Sequence, residues 1–453
     1  MTRYRLDSSW RRPGDGTTVL AGSPLRLFRV SPGGAHVLSL VATGEQPATA
    51  AVQQMLDRMV DAGALHPQPE VGPFTADDVT VVVPAHRALP AMPLGLRAIV
   101  VDDASPAPLA LPQPAPPHTV LVRRTHNGGP GAARNTGLAD VQTPLVAFVD
   151  TDVVLPDGWL APLLAHFADE RVALVAPRVV GAPGAGALAA YEQRHSPLDL
   201  GDEPARVAAG TRVSYVPAAA LLCRTDAVRD VGGFDEGLRY GEDVDLVWRL
   251  AEAGWRCRYE PAATVQHRAR GTWAGWARQR ASYGRSAAPL ATRHPGALAP
   301  VRMSGWSVAV WALVIARRPV LAAAVAGGTV VALQRKLPTV PRAESARLVA
   351  LGHLAAGRQL AQATRRVWWP IALVAALVAP KARPAMLATL APVVADVVAD
   401  ALRTRRARTL LDAPLLWADE AAYGAGVWAG VWAEREPGPL LPSLTTWPPR
   451  AAG

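Results

Sequence analysis

Residues 145–152 read LVAFVDTD: an unbroken apolar run from Leu145 to Val149, then Asp150, Thr151 and Asp152. A continuous run of that length is the pattern of a strand covered on both faces, as in a parallel sheet. Ligands of open α/β sheets bind just beyond the carboxyl ends of such strands. Two carboxylates on alternate residues there can share one divalent cation, and oxygen ligands suit Mg2+ or Mn2+. Alone, the same Asp-x-Asp serves as well as a strand-end turn. What precedes and follows it in the chain decides between the two.

Val79–Val83 and Ile99–Val101 are further buried runs upstream, and Val172–Ala176 is one downstream. Helical patterns separate them, so an α/β domain on a mainly parallel sheet is expected over residues 77–300. The first run ends at Pro84, and the second, VVDDAS, delivers Asp102 and Asp103 to the same edge. One of these carboxylates can accept from a uracil N–H while the other holds the turn. Pro106–Pro117 (PAPLALPQPAPP) is too rich in proline for regular structure and reads as a loop.

Residues 127–137 read NGGPGAARNTG. Their glycines let backbone approach a nucleotide, and the helix start that follows favours negative charge. Arg134 and Asn135 add side-chain donors, and the spacing is not that of a dinucleotide loop. Farther on come GGFDE at 232–236 and GEDVDLVWRL at 241–250. The second starts a helix with Val244, Val247, Trp248 and Leu250 facing inward. Glu242 and Asp243 at its first turn can cap the helix, and the helix start also fixes a carboxylate's direction. A fixed carboxylate is what general-base attack by a hydroxyl requires.

VVVP, VVDDAS, NGGPGAARNTG, FVDTD, GGFDE and GEDVDLVWRL, in this order and spacing, resemble glycosyltransferase family 2 over roughly residues 77–270. The resemblance implies an inverting enzyme of GT-A fold. It makes Asp150 and Asp152 the metal motif and Asp243 the catalytic base. It places Pro84, Arg87, Asp102, Asp103, Arg134, Asn135, Asp150 and Glu242 around the nucleotide sugar. His267, in VQHR after an apparent strand, falls where some relatives have a third metal ligand; an ordinary core or surface histidine is the other reading. Arg278 and Arg280, in WARQRASYGRSAA, resemble the basic segment that closes over the diphosphate, where forked guanidinium donors suit phosphate. A solvated basic face is their other reading. The longer Q-x-x-R-W signature of processive synthases is not present as such.

Residues 1–70 precede this domain as a small strand–helix module of winged-helix type, with Val52, Met55, Leu56, Met59 and Val60 at helical spacing. His66 to Pro73 reads as a linker. The stretches LFRVSPGGAHVLSLV and AVQQMLDRMVDAGAL resemble the PqqD-like domains that hold precursor peptides in cofactor pathways. With the hydrophobic tail, the three-part order resembles the mycofactocin-system branch of the family. That resemblance implies UDP-glucose as donor and a peptide-derived redox cofactor precursor as acceptor. Repeated additions would build a β-linked oligosaccharide.

Residues 301–440 form a hydrophobic helical region: Met303–Ala316, Pro319–Leu333 and Val367–Pro380 carry no charge, and each is shorter than the ~20 residues of a membrane span. The formal net charge of +10 concentrates here. Residues 301–410 hold 16 Lys and Arg against 3 Asp and Glu, a balance of +13 that leaves −3 elsewhere. Basic flanks with Trp306, Trp311, Trp368 and Trp369 point to an anionic membrane surface, the other reading being an alanine-rich soluble bundle. No nucleic-acid motif is present, so that partner is not expected. Two cysteines and an opening MTRYRLDSSWRR without an apolar run predict synthesis in the cytosol, and with the basic tail the cytoplasmic side of the cell membrane or else the cytoplasm. A membrane enzyme acting on a polyprenyl phosphate or cell-wall glycan is the alternative, and a non-catalytic peptide-binding adaptor the second.

Overall fold

The structure is a computed structural model that describes residues 3–14, 16–44, 49–91, 95–268, 271–404 and 412–445. It divides into two compact units, Met1–Gly271 and Thr272–Gly453. This division puts Arg278 and Arg280 in the second unit.

The first unit opens with strands β1 (Arg3–Leu6), β2 (Thr18–Ala21) and β3 (Arg26–Arg29), helices α1 (Pro32–Ala42) and α2 (Ala50–Asp61), and strand β4 (Leu65–Gln68). β1 pairs antiparallel with β4, and β2 with β3. Leu56, Met59 and Val60 of α2 meet Val19, Leu38, Val41 and Leu65 in a core of their own, as the helical spacing requires. His66–Gln68 is strand and not linker: His66 is buried and holds Asp7 at 2.9 Å. Burial would raise the Asp7 pKa, but hydrogen bonds from His66 and Ser9 outweigh it and bring it to about 2.

The large sheet comprises β5 (Val79–Ala85), β6 (Arg97–Asp102), β7 (Thr119–Arg123), β8 (Leu145–Val149), β9 (Val153–Val154), β10 (Val172–Gly181), β11 (Ala205–Arg206), β12 (Ala220–Arg224) and β13 (Arg256–His267). Its order is β11-β13-β10-β12-β8-β5-β6-β7, with β9 on β13. β8, β5, β6 and β7 run parallel, and β10 runs parallel to β13. β12 lies antiparallel between β8 and β10, so the two parallel groups point the same way. The sheet is thus mixed, a correction to the mainly parallel expectation. The interposed ALLCR strand is short and ends in arginine, which hid it among turn residues.

Helices α3 (Pro130–Asp140), α4 (Ala161–Ala165), α5 (Ala187–His195), α6 (Thr225–Asp230) and α7 (Glu242–Glu252) complete the unit. α3 lies hard on β5, because a Cβ built at Gly137 would be 2.4 Å from Val82 Cγ1.

The second unit contains α8 (Trp273–Arg285), α9 (Ala287–Arg293), α10 (Gly305–Ile315), α11 (Pro319–Lys336), α12 (Arg342–Arg366), α13 (Trp369–Val378), α14 (Arg383–Ala388), α15 (Ala391–Thr404) and α16 (Ala413–Glu434). Glycines on α16 let α8 approach backbone to backbone: a Cβ at Gly426 would lie 1.9 Å from the Ala281 carbonyl oxygen. The charge-free run Pro319–Leu333 falls within α11, and the runs Met303–Ala316 and Val367–Pro380 contain α10 and α13. Among the described residues one stretch, Pro380–Leu402, is long and apolar enough to cross a membrane by length and composition.

Gly137→Ala tests the α3–β5 contact. Alanine in a helix interior gains up to ~1 kcal/mol over glycine. The clash with Val82 costs about 1–3 kcal/mol. The expected result is a lower urea midpoint for the variant.

Candidate active site

Because the strands other than β9, β11 and β12 point one way, one edge of the sheet collects their carboxyl ends. Pro84, Asp102, Asp103, Asp150 and His267 all arrive there. The antiparallel β12 begins at this edge, with Ala220 opposite Val149. Immediately before it, the Ala218 amide donates to Asp243 Oδ2 at 3.0 Å. The sequence-derived base and metal motif are thereby carried to one edge of one sheet.

Arg134 organises this edge. It is 2% exposed and donates to Asp150 Oδ1 and to Glu242 Oε1, both at 2.6 Å, with its guanidinium 5.2 Å from the Phe234 ring centre. Burial would lower its pKa, but the charges of Asp150 and Glu242 reverse the direction and raise it. Burial raises the Asp150 pKa, Arg134 opposes, and the Asp152 charge adds to the rise. Glu242 is pushed up to about 7 by burial and by the Asp243 charge, against the pull of Arg134.

Asp152 follows a turn in which the Val153 amide donates to the Asp150 carbonyl, and β9 then clips onto the end of β13. That brings Asp152 Oδ1 to 3.2 Å from His267 Nε2. Among the described residues no three His, Cys, Asp or Glu side chains converge as a ready metal cage. The pairs present are Asp152 with His267 and Asp150 with Arg134. The chemistry of the donor set nonetheless fits a hard divalent cation: carboxylates at alternate positions are hard oxygen donors, and the Asp152 charge raises the proton affinity of Asp150, which a cation between them would relieve.

Asp243 lies half-buried at the first turn of α7, and its other oxygen accepts from the Val244 amide at 2.8 Å. Two backbone amides therefore fix its orientation. Its neighbour Glu242 points the opposite way, into the Arg134 pair, and so serves the internal network.

Several expected nucleotide contacts are spent on the loops themselves. Asp102 is fully buried and accepts from the amides of Ser105 (2.9 Å) and Leu109 (3.1 Å) and from Arg123. Burial opposes its ionisation, yet these bonds bring its pKa to about 2. Asp103 accepts from the amides of Gly128 (3.0 Å) and Gly129 (2.8 Å) and from Arg124 (2.9 Å), which ties the glycine-rich loop to the end of β6. Asn135 both donates to and accepts from the Phe234 backbone and clamps the GGFDE loop. Arg87 is exposed, with φ at 68° and its amide donating to Ser105 Oγ at 2.8 Å. Arg280 is buried within the second unit, 2.9 Å from Asp419 and 5.5 Å from the Trp276 ring centre, while Arg278 is exposed on the same helix. The sequence reading did not single out Arg124, Asn127 and Arg239, which join this edge: Arg239 donates to Asn127 Oδ1 at 2.7 Å, and Asn127 donates to the Asp103 carbonyl at 3.0 Å. The signal available for Arg124 was its place just past a strand end.

A mixed sheet with Asp-x-Asp and a helix-borne carboxylate at one edge defines a GT-A-like glycosyltransferase. The sequence profile of glycosyl transferase family 2 matches residues 86–232. The chain is 42% identical to the pre-mycofactocin glycosyltransferase of Mycobacterium tuberculosis H37Rv, over 98% of this chain and 97% of that one. It is 48% identical to the N-acetylglucosaminyl-diphospho-decaprenol L-rhamnosyltransferase of the same organism over 56 residues, 12% of this chain and 18% of that one. Among solved structures, a mannosyltransferase from Pyrobaculum calidifontis in complex with GDP-Man and Mn2+ matches with a TM-score of 0.41 and 16% identity, over 81% of this chain and 90% of that one. The chain belongs to the family 2 glycosyltransferases, in the group that the pre-mycofactocin glycosyltransferase represents.

Glu242→Gln should change how stability depends on pH. Ordinary glutamates ionise near 4.5, whereas folded Glu242 holds its proton to about 7. Its contribution is therefore fully present below the lower value and is lost as pH rises through the upper one. Thermal midpoints measured from pH 4.5 to 8 should fall with rising pH more steeply for the native chain than for the variant. Parallel curves would remove Glu242 as the titrating group.

Proposed function

We propose that this enzyme transfers glucose from UDP-glucose to the peptide-derived mycofactocin precursor with inversion, and that repeated additions build a β-linked oligosaccharide. The carrying observation is that Asp150, Asp152 and Asp243 come to one sheet edge in a chain that aligns over nearly its whole length with a pre-mycofactocin glycosyltransferase.

Asp243 takes the proton of the attacking hydroxyl as the new O–C1 bond forms. The bond from C1 to the diphosphate oxygen breaks on the opposite face, and the leaving nucleotide carries the electron pair away. Two amide donors fix the direction of Asp243, which is the positioning that general-base catalysis needs. Asp150 and Asp152, with His267 beside Asp152, would hold Mg2+ or Mn2+. When bound, such an ion offsets charge developing on the leaving diphosphate. Arg134 keeps Asp150 in place, and Asp103 ties the glycine-rich loop to the end of β6 at the start of α3, where anions are favoured.

The N-terminal module is the reading's peptide holder. Its separate core and its ion pairs to the sheet, Asp61 to Arg256 at 2.6 Å and Asp57 to Arg171 at 2.7 Å, suit a recognition element docked on a catalytic body. Attachment at the cytoplasmic side of the cell membrane is supported by Pro380–Leu402 and by the basic flanks of α11. The same stretch favours a second reading, a polyprenyl-linked acceptor.

Purified protein with Mn2+ or Mg2+, a panel of nucleotide sugars and both acceptors tests this by mass spectrometry. Hexose increments on the precursor with UDP-glucose are expected. Sugar on the lipid alone would favour the second reading.

Two variants address the roles. Asp243→Asn should retain donor binding and lose transfer by at least ~100-fold, the low end of general-base contributions. Near-native turnover would sink the assignment. Asp152→Ala should weaken metal-dependent donor binding in titration calorimetry, and unchanged metal dependence would count against the site.

A further inference from the structure

At the opposite edge of the sheet, where β13 begins, lies a second concentration of charge. Two adjoining cavities of about 240 and 320 Å³ open between α2 and the start of β13, sharing Val60, Arg171, Arg256 and Arg258. Neither contains any residue assigned to the candidate active site.

The carboxylates here are already taken. Arg256 holds Asp61 and Asp169, each at 2.6 Å, and Arg171 holds Asp57 at 2.7 Å. His166 pairs with Glu260 at 2.9 Å. Arg258 is left over. It is 6% exposed, and among the described residues neither its Nε nor its Nη2 has a hydrogen-bond partner. Its nearest anion is Asp169, 3.7 Å away and engaged by Arg256. Directly opposite Arg258 across the antiparallel β11–β13 pair stands Arg206, which lines the same cavity and forms no ion pair among the described residues. Like charges facing each other across a sheet repel, and a buried guanidinium without partners carries a large desolvation cost. Burial and the neighbouring Arg256 push the Arg258 pKa down to about 10, and burial with Arg26 lowers that of Arg206. At both guanidiniums, burial and the neighbouring arginines outweigh the pull of the carboxylates nearby.

We propose that this crevice binds an oxyanion, a carboxylate or a phosphate, held by Arg258 and Arg206. Forked guanidinium donors match either group, and the anion would satisfy the buried nitrogens and separate the facing charges. The source is a free phosphate or a peptide carboxylate delivered along the N-terminal module. The site shares no residue with the candidate active site.

Thermal melting of the full chain in low-salt chloride buffer tests the proposal. One arm adds inorganic phosphate. The other adds a short peptide with a free terminal carboxylate, beside its amide. Potassium chloride at matched ionic strength is the control. A ligand that binds only the folded state raises the midpoint, so a rise of several degrees is expected in at least one arm. A phosphate response assigns the free ion, and a response to the acid but not the amide assigns the peptide. Arg258→Met should abolish the response and melt higher than the native chain without added anion, because it removes a buried charge whose Nε and Nη2 make no hydrogen bond. No response in either arm, or one that survives in Arg258→Met, overturns the proposal. Should that variant fail to fold, Arg206→Met, on the half-exposed side, should weaken the response at least several-fold in midpoint concentration. An unchanged response there also overturns it.

Discussion

Burying Arg134 is the constraint from which the rest of the active edge follows. Taking a guanidinium out of water costs several kcal/mol after relaxation, so it must find anions with good geometry. It finds two, and they belong to different elements: Asp150 ends β8 and Glu242 begins α7. Arg134 itself rides on α3, the helix that follows the glycine-rich loop. One side chain thus ties together the glycine-rich loop, the Asp-x-Asp motif and the helix that carries Asp243. Because Glu242 is locked inward, Asp243 one residue on is turned toward the Ala218 amide and held there.

A second layer of polar residues does for the loops what Arg134 does for the elements. A loop at a sheet edge exposes amides that need acceptors, and a buried carboxylate needs donors. Asp103 and the amides of Gly128 and Gly129 satisfy each other. Asn135 does the same for the Phe234 backbone, whose ring stacks edge-on against Phe148 at 4.9 Å. These contacts fix the glycine-rich loop and the GGFDE loop in place.

Strands covered on both faces were legible in the sequence because burial leaves an unbroken apolar run: Leu145–Val149 is a strand over that span, and Val79–Val83 is extended by two residues. β7 and β12 were not, since TVLVR and ALLCR are short and end in arginine. The acidic motifs were legible as a set, because their order along the chain reflects one edge of one sheet. Which carboxylate faces outward was not, because Glu242 and Asp243 are adjacent and chemically alike, and only the buried Arg134 separates them. Pro380–Leu402 escaped a search for charge-free runs because Lys381, Arg383, Asp396 and Asp400 interrupt it.

The two edges of the sheet have opposite charge imbalances, and both arise from strand direction. At the carboxyl edge Asp150 and Glu242 converge on the buried cation of Arg134, with Asp152 and Asp243 close by in the chain. Burial there raises the proton affinity of Asp150 and Glu242, the response of acids short of positive charge. At the amino edge Arg206, Arg256 and Arg258 crowd around carboxylates that Arg256 and Arg171 already engage, and the basicity of Arg206 and Arg258 falls. A fold tolerates such imbalances only where something else supplies the missing charge or where their cost is met by packing elsewhere. The first edge has an excess of carboxylates and the second an excess of guanidiniums, so the two would favour complements of opposite sign.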